Sequence, residues 1–182
     1  MTKAKEITAE VYQVGGGGFS RGEDCCVYLV DGGTESALID TGTGRSASMI
    51  MDNIKATGVE LSSLKYIVVT HGHIDHIGGL AFLKEQLQVQ VVAHQLELPA
   101  IEKGLPHLTA ASWYGVKYEK VKVDRVLQGD EEKIKLDQLE LVCLHTPGHT
   151  VGGISPYIDI GGNGFFLVRI FMGLSTSSGV QI

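Results

Sequence analysis

Residues 70–79 read "THGHIDHIGG" and follow directly on "YIVV" (66–69). Three histidines and an aspartate fall within six positions, between an apolar run and a glycine pair. The run "LKYIVVT" (64–70) has the near-continuous apolar character of a strand buried on both faces. Polar groups at its end leave a rigid scaffold on a loop. His71 and His73 lie two apart, so a tight loop can point both imidazoles at one ion. Asp75 and His76 project differently and could meet a second ion nearby. Imidazole and carboxylate donors suit Zn2+, Mn2+ or iron. A structural tetrahedral zinc takes four protein ligands, usually including cysteine, and no cysteine is close to this cluster in sequence. Histidines and carboxylate with an open position make the catalytic kind of site.

On the N-terminal side, "EITAEVYQV" (6–14) alternates as a strand, "GGGGFSRGED" (15–24) reads as a flexible loop, and "CCVYLVD" (25–31) is a second strand. "GGTES" turns the chain into "ALID" (37–40), and an amphipathic helix is expected over about 45–58. On the C-terminal side, "IGGLAFLKEQL" (77–87) predicts a helix, "VQVVAH" (89–94) a strand and "QLELPAIEKG" (95–104) a helix, while 105–120 carries no clear pattern. Strands then return: "KVDRVL" (122–127), "EKIKL" (132–136) and "LELVCLH" (139–145). "TPGHTVGG" (146–153) is a loop, and "ISPYIDI" (154–160) a strand interrupted by Pro156. Strands bracketing helices predict an α/β layered fold in one domain. The loop after the strand 139–145 offers His149 as the natural third imidazole for the ion of His71 and His73, with His145 the weaker candidate. A strand-end histidine bonded to backbone is the favoured reading of His145.

Composition narrows the function. Of 182 residues, 43% are hydrophobic and 20% charged, with a net charge of −6 and no basic run. Phosphate neutralisation needs clustered Lys and Arg, so neither nucleic acid nor an anionic membrane is expected as partner, and a small-molecule substrate is. Three cysteines without regular spacing fit reduced thiols, and no apolar run of signal-peptide length opens the chain. The expected location is the cytoplasm. Cys25 and Cys26 are expected to pack as small apolar residues in their strand. His94 reads as a surface strand-end residue or a lining of the substrate entrance, His107 as solvated, and Trp113 and Tyr114 as substrate-loop or packing residues.

"VVTHGHIDHIGG", "ALIDTG" and "HTPGHTVGGIS" together resemble the successive motifs of the metallo-β-lactamase superfamily, over about residues 7–160. That resemblance implies an αβ/βα sandwich with a one- or two-metal site at one edge, holding Zn2+ with iron or manganese as alternatives. His71, His73 and His149 match the ligands of the first metal, and Asp75 and His76 ligands of the second. Asp40 matches a buried acid that holds a ligand or loop by hydrogen bonds. The implied activity is hydrolysis of an ester or thioester by a metal-bound hydroxide, of the glyoxalase II kind, with Asp75 orienting the attacking water. A mononuclear iron persulfide dioxygenase shares the motif, and a truncated, inactive chain is the remaining alternative.

The pattern stops at the C-terminus. A two-metal member needs a bridging Asp and a last His, yet no Asp or His follows Asp159. Phe166 to Thr176 can be encoded so that dropping two bases gives Ser-Gly-Ala-Asp-Ile-His-Gly-Pro-Leu-Asn, which resembles the missing motif. The expectation is a metallo-β-lactamase-like domain over 1–160 with its second half incomplete, and a divergent tail over 161–182, out of frame from about Gly161 to Gly164. "FFLVRIFM" (165–172) has the composition of one strand. Such a tail adds no ligand, so one tightly held ion, little turnover and self-association through uncovered apolar surface are expected.

Overall fold

The computed structural model describes residues 3–167, which form two sheets and one layer of helices. In the first sheet β1 (Lys5–Thr8), β2 (Val11–Gly15), β3 (Val27–Asp31), β4 (Ser36–Ile39), β5 (Leu64–Val68), β6 (Gln90–His94) and β7 (Arg125–Leu127) lie side by side in chain order. Connections set the strand directions. Tight turns join β1 to β2 and β3 to β4, and the longer segment 16–26 joins β2 to β3, all as antiparallel pairs, whereas the helix-bearing links after β4, β5 and β6, with α1 (Ala47–Ala56) in the first and α3 (Leu80–Leu87) in the second, return the chain so that β4 to β7 run parallel. The second sheet, β8 (Glu131–Leu136), β9 (Leu139–His145), β10 (Ile154–Ile160) and β11 (Asn163–Phe166), is antiparallel in the order β11-β10-β9-β8.

Two apolar cores hold these layers together. On one face of the first sheet, Leu29, Leu38, Ile67 and Val91 pack against Ile50 and Ile54 of α1 and Leu80 and Leu83 of α3. On the other face, Val30, Ile39, Val68 and Val92 meet Ile134, Leu141, Cys143 and Ile158 of the second sheet. The outer face of the second sheet carries Val142, Leu144, Tyr157 and Phe166 around an open groove of about 490 Å³, and no helix covers it among the described residues. Among the described residues the fold is thus an αβ/βα sandwich with its second half incomplete. Among the described residues, no helix is long and apolar enough to cross a membrane.

Several local expectations need correction. The stretch 6–14 is not one strand but the hairpin β1–β2, turned at Ala9 and Glu10. No glycine or proline marks that turn, and the Thr8 hydroxyl instead accepts the Glu10 N–H (3.2 Å). The helix expected over 77–87 is α3, which begins only at Leu80, and a separate short helix α2 (Ile74–Ile77) precedes it across Gly78 and Gly79, which lie against the backbone carbonyls of Thr43 and Thr41. The segment 95–104 is a single 3-10 turn, Gln95–Glu97, followed by α4 (Leu98–Ile101), and 105–120 holds two short helices, α5 (Pro106–Thr109) and α6 (Ala111–Tyr114). The expected strand over 165–172 corresponds to β11, which ends at Phe166, and its remaining positions lie outside the described residues, as does the tail to which the frame-shift argument applies.

The glycine-rich segment 15–24 is far from the free loop its composition suggests. Asn53, buried on α1, donates to the carbonyls of Val14 (2.8 Å) and Phe19 (2.9 Å). Asp24 accepts from Thr43 N (2.8 Å), Thr43 Oγ1 (2.7 Å), Ser20 Oγ (2.6 Å), Arg21 N (3.1 Å) and Ser46 Oγ. Burial works against its charge, yet the bonds from Ser20, Ser46 and Thr43 outweigh burial and hold the carboxyl below its usual range. Asp24→Ala would strand several of these donors. Urea unfolding at neutral pH is expected to show a loss of about 2–3 kcal/mol. A depressed folded pKa gives stability above the unfolded value of ~3.9 and loses it as pH falls through the folded value. The gap between variant and parent should therefore shrink below about pH 4.

Candidate metal centre

The ends of three parallel strands and one antiparallel strand meet at one edge of the sandwich. Past β5 the chain bends at Thr70 and Gly72 and reaches His73, which has φ −77° and ψ 149° and whose carbonyl accepts the N–H of His76 (2.9 Å) and Ile77 (3.0 Å) to start α2. The loop after β9 is fastened alongside, since Ile154 N donates to Thr70 O (2.9 Å). This brings three imidazoles together. Ring centroids of His71, His73 and His149 are 4.6–4.8 Å apart, and His149 Nε2 stands 3.0 Å from His73 Nδ1.

His71 carries the clearest signal. Its Nδ1 is 3.1 Å from Thr70 Oγ1, while its Nε2 is buried without a hydrogen-bond partner. An unpartnered buried nitrogen is costly unless something binds it. Burial first, then the neighbouring rings of His76, His73 and His149, hold His71 well below the ordinary histidine range. Burial and His149 lower His73 in the same direction. Neutral imidazoles are the form that ligates metal. Two nitrogens on one tetrahedral ion at ~2.0–2.1 Å sit roughly 3.3 Å apart, so the group fits a divalent cation.

Next to it lies a more acidic group. Asp40, at the end of β4, is 2% exposed and adopts φ +63°, a conformation that aspartate tolerates better than most residues. Its Oδ1 accepts Thr70 N (2.8 Å), and its Oδ2 lies 2.7 Å from both Thr70 Oγ1 and His76 Nδ1. Burial opposes a charge on His76, but the Cys25 sulfur and the Asp40 carboxylate outweigh it and raise this histidine well above its usual value. With Nδ1 committed to Asp40, His76 presents Nε2, 3.5 Å from Asp75 Oδ2. Cys25 is buried beside this pair, and burial pushes its thiol up to about 11. The sequence reading put Cys25 inside a strand. Strand β3 begins only at Val27, and Cys25, two residues ahead of it, packs in the first core as expected while also neighbouring His76.

Glu97 escaped the sequence reading altogether. It is 4% exposed, and its carboxylate accepts Gly72 N at Oε2 (2.8 Å) and Gly152 N at Oε1 (2.9 Å). One acid thereby joins the loop of His71 and His73 to the loop of His149. Glycine suits both partners, since an added Cβ would lie 2.4 Å from Ala100 Cβ at Gly72 and 2.9 Å from the Glu97 backbone N at Gly152. Other histidines stay outside the cluster. His145 Nε2 meets Val151 O (3.0 Å), and its ring stacks on His94 at 4.0 Å. His94 is 2% exposed, so it is not a surface residue. His107 is exposed. The three imidazoles open on a cleft of about 480 Å³, whose walls include Gln13, Glu23, Cys26, Tyr114 and the 87% exposed Trp113.

Residues 21–165 match the metallo-beta-lactamase superfamily. The chain belongs to this superfamily. It is similar to a probable metallo-hydrolase of Methanocaldococcus jannaschii, 30% identical over 128 residues that cover 70% of this chain and 59% of that protein. The hydroxyacylglutathione hydrolase GloC of Haemophilus influenzae is 29% identical over 130 residues, 71% of this chain and 58% of that one. Among solved structures, the subclass B3 metallo-beta-lactamase BJP-1 of Bradyrhizobium japonicum superposes with a TM-score of 0.75 at 28% identity, over 90% of this chain and 60% of that chain. The chain spans between half and two thirds of the length of these superfamily relatives.

In this superfamily chain the residues that could hold a metal are His71, His73 and His149, with Asp75 and His76 facing an adjacent position. Glu97→Ala would release both loops and leave two backbone N–H groups unpaired. Zn2+ competition titrations are expected to show affinity at the three-histidine position reduced by roughly 10- to 100-fold, the usual cost of losing an outer hydrogen-bond partner. Asp40→Ala, which frees His76 Nδ1, should weaken binding to a similar degree.

Proposed function

We propose that this chain carries the metal centre of a hydrolase acting on a small ester or thioester, with Zn2+ as the resident ion. The observation that carries the reading is the unpartnered, buried His71 Nε2 facing two more imidazoles at the end of an open cleft. A bound ion there supplies a nucleophile at neutral pH and polarises the carbonyl of the substrate. The chain's own residues do the rest. Thr70 Oγ1 and Asp40 orient His71 and His76, and Glu97 fixes the spacing between the two histidine loops. Asp75 is part-exposed at the cleft and is close enough to Tyr114 to take its hydrogen bond, which suits it to orient a water toward the carbonyl. Burial and the Asp75 charge both raise Tyr114, so the phenol stays a donor.

The cleft chemistry supports an uncharged acyl group as the reacting end of the substrate. Its walls hold Glu23, Asp24 and Asp75 and, among the described residues, neither lysine nor arginine. Similarity to a hydroxyacylglutathione hydrolase supports acyl transfer to water. A cytoplasmic setting is supported by three free cysteines.

The test uses the purified chain, loaded with Zn2+ and assayed on activated thioesters by thiol release. Low but chelator-sensitive turnover is expected, with His71→Ala reducing kcat/KM by more than the ~10- to 100-fold that losing an outer partner costs. A fully loaded chain that turns over no member of an ester and thioester panel would overturn the reading. Dioxygen uptake with an organic persulfide and iron would assign the site to oxygenation instead.

A further inference from the structure

Trp113, the only tryptophan in the sequence, is 87% exposed and lines the same cleft as His71, His73 and His149. So much apolar area left in water beside the site is informative because the backbone beneath it is fixed. Helix α6 runs between Ala110 (φ +55°) and Gly115 (φ +59°), and a left-handed alanine is uncommon. Trp113 N donates to Ala110 O (3.0 Å), and Val116 N donates to Ala111 O (3.2 Å). From the segment ahead of α1, Arg45 Nη2 donates to the carbonyls of Tyr114 and Gly115, at 3.2 Å in each case. The Tyr114 hydroxyl bonds Asp75, whose Oδ2 is 3.5 Å from His76 Nε2. The indole is therefore carried one residue away from a phenol that is tied to the metal-facing carboxylate.

Charge narrows what the indole can receive. No lysine or arginine lines the cleft among the described residues, so an anionic substituent would face Glu23 and Asp75 without a cation to pair with. A cationic one gains little more. Glu23 already lies near Arg21 (3.8 Å) and Arg45 (3.7 Å), and Asp24 is spent on internal hydrogen bonds. An uncharged ring meets neither difficulty. The indole offers it a broad apolar face, and paired aromatic rings gain more than their buried area alone accounts for. Room is present as well, since at Gly17 and Gly22 in the lining nothing stands within 4 Å of where a Cβ would be.

We propose that Trp113 determines substrate specificity by stacking on an uncharged aromatic ring of the ester or thioester, with Arg45 as the positioning residue that holds the indole at the cleft. The proposal deepens the hydrolase reading and rests on it for the ester or thioester bond alone. Ring binding is a property of the segment 110–115 and can be measured without turnover.

As the sole tryptophan, Trp113 reports its own surroundings by fluorescence. The Zn2+-loaded chain, in a thiol-free reductant, is titrated with phenylethanethiol, with cyclohexylethanethiol and with a ring-carboxylated phenylethanethiol, models of the thiols that thioester cleavage releases. The phenyl thiol is expected to shift the emission to shorter wavelength and to bind roughly 3- to 10-fold more tightly than the cyclohexyl thiol, with the carboxylated one weakest. Trp113→Leu, followed by calorimetry, should bring the phenyl-to-cyclohexyl ratio close to one. Arg45→Ala should lower the ratio and Arg45→Lys recover part of it, a rescue that general loss of structure would not give. Equal affinity for the phenyl and cyclohexyl thiols, unmoved emission at saturation, tightest binding by the carboxylated thiol, or a phenyl preference that survives in Trp113→Leu would overturn the proposal. If a variant does not fold, the emission and the ratio in the parent chain decide. Phenyl preference without turnover of any ester or thioester would count against the hydrolase reading alone, and turnover without phenyl preference against this proposal alone.

Discussion

The carboxylate of Asp40 joins the ends of two neighbouring parallel strands at the edge where the chemistry sits. Asp40 N donates to Val68 O (3.0 Å), continuing the β4–β5 pairing one step beyond the strands, and the side chain then turns back to grip Thr70 and His76. A left-handed backbone at an aspartate costs on the order of 1 kcal/mol or more, and here it is offset by three charge-assisted bonds. Shifting β4 by one residue against β5 would send this side chain to the opposite face and leave His76 without its anchor. The register of the central sheet and the orientation of the metal-facing rings are therefore one constraint.

Much of this was readable in the sequence, for a physical reason. His71, His73, Asp75 and His76 are contiguous, and Asp40 and His149 each follow an apolar strand, so strand ends alone announce where they gather. Local signals also gave the parallel strands and the first helix. What stayed hidden depends on distant chain. Glu97 bonds glycines 25 and 55 positions away, and nothing next to it in sequence separates it from an ordinary helix-start acid. Cys25 packs in the core as its composition suggested, but the strand starts two residues later and its neighbour His76 comes from α2. In 15–24 the glycines suggested freedom, and the order comes from Asn53 and Thr43 in later segments.

Layering explains how an incomplete sandwich still presents a formed site. Every side chain in the cluster comes from a loop beside a strand of the first sheet, from α2, or from the β9–β10 loop fastened to Thr70. The inter-sheet core is closed by β8, β9 and β10, so the outer face of the second sheet takes no part in positioning these residues. Its groove is lined by Val142, Leu144, Tyr157 and Phe166, none of which belongs to the imidazole cluster.

His73 and His149 are 76 positions apart in the chain, and their nitrogens sit 3.0 Å from each other. An ion shared between them would be a removable cross-link between the two sheets. Closing so long a loop is entropically expensive in an unfolded chain, the cost growing as ~(3/2)RT ln n, and an ion that binds only the closed form shifts the balance by mass action. The metal supply of the surroundings would then govern how firmly the second sheet stays docked, making tertiary cohesion in this molecule a property shared between the polypeptide and its solution.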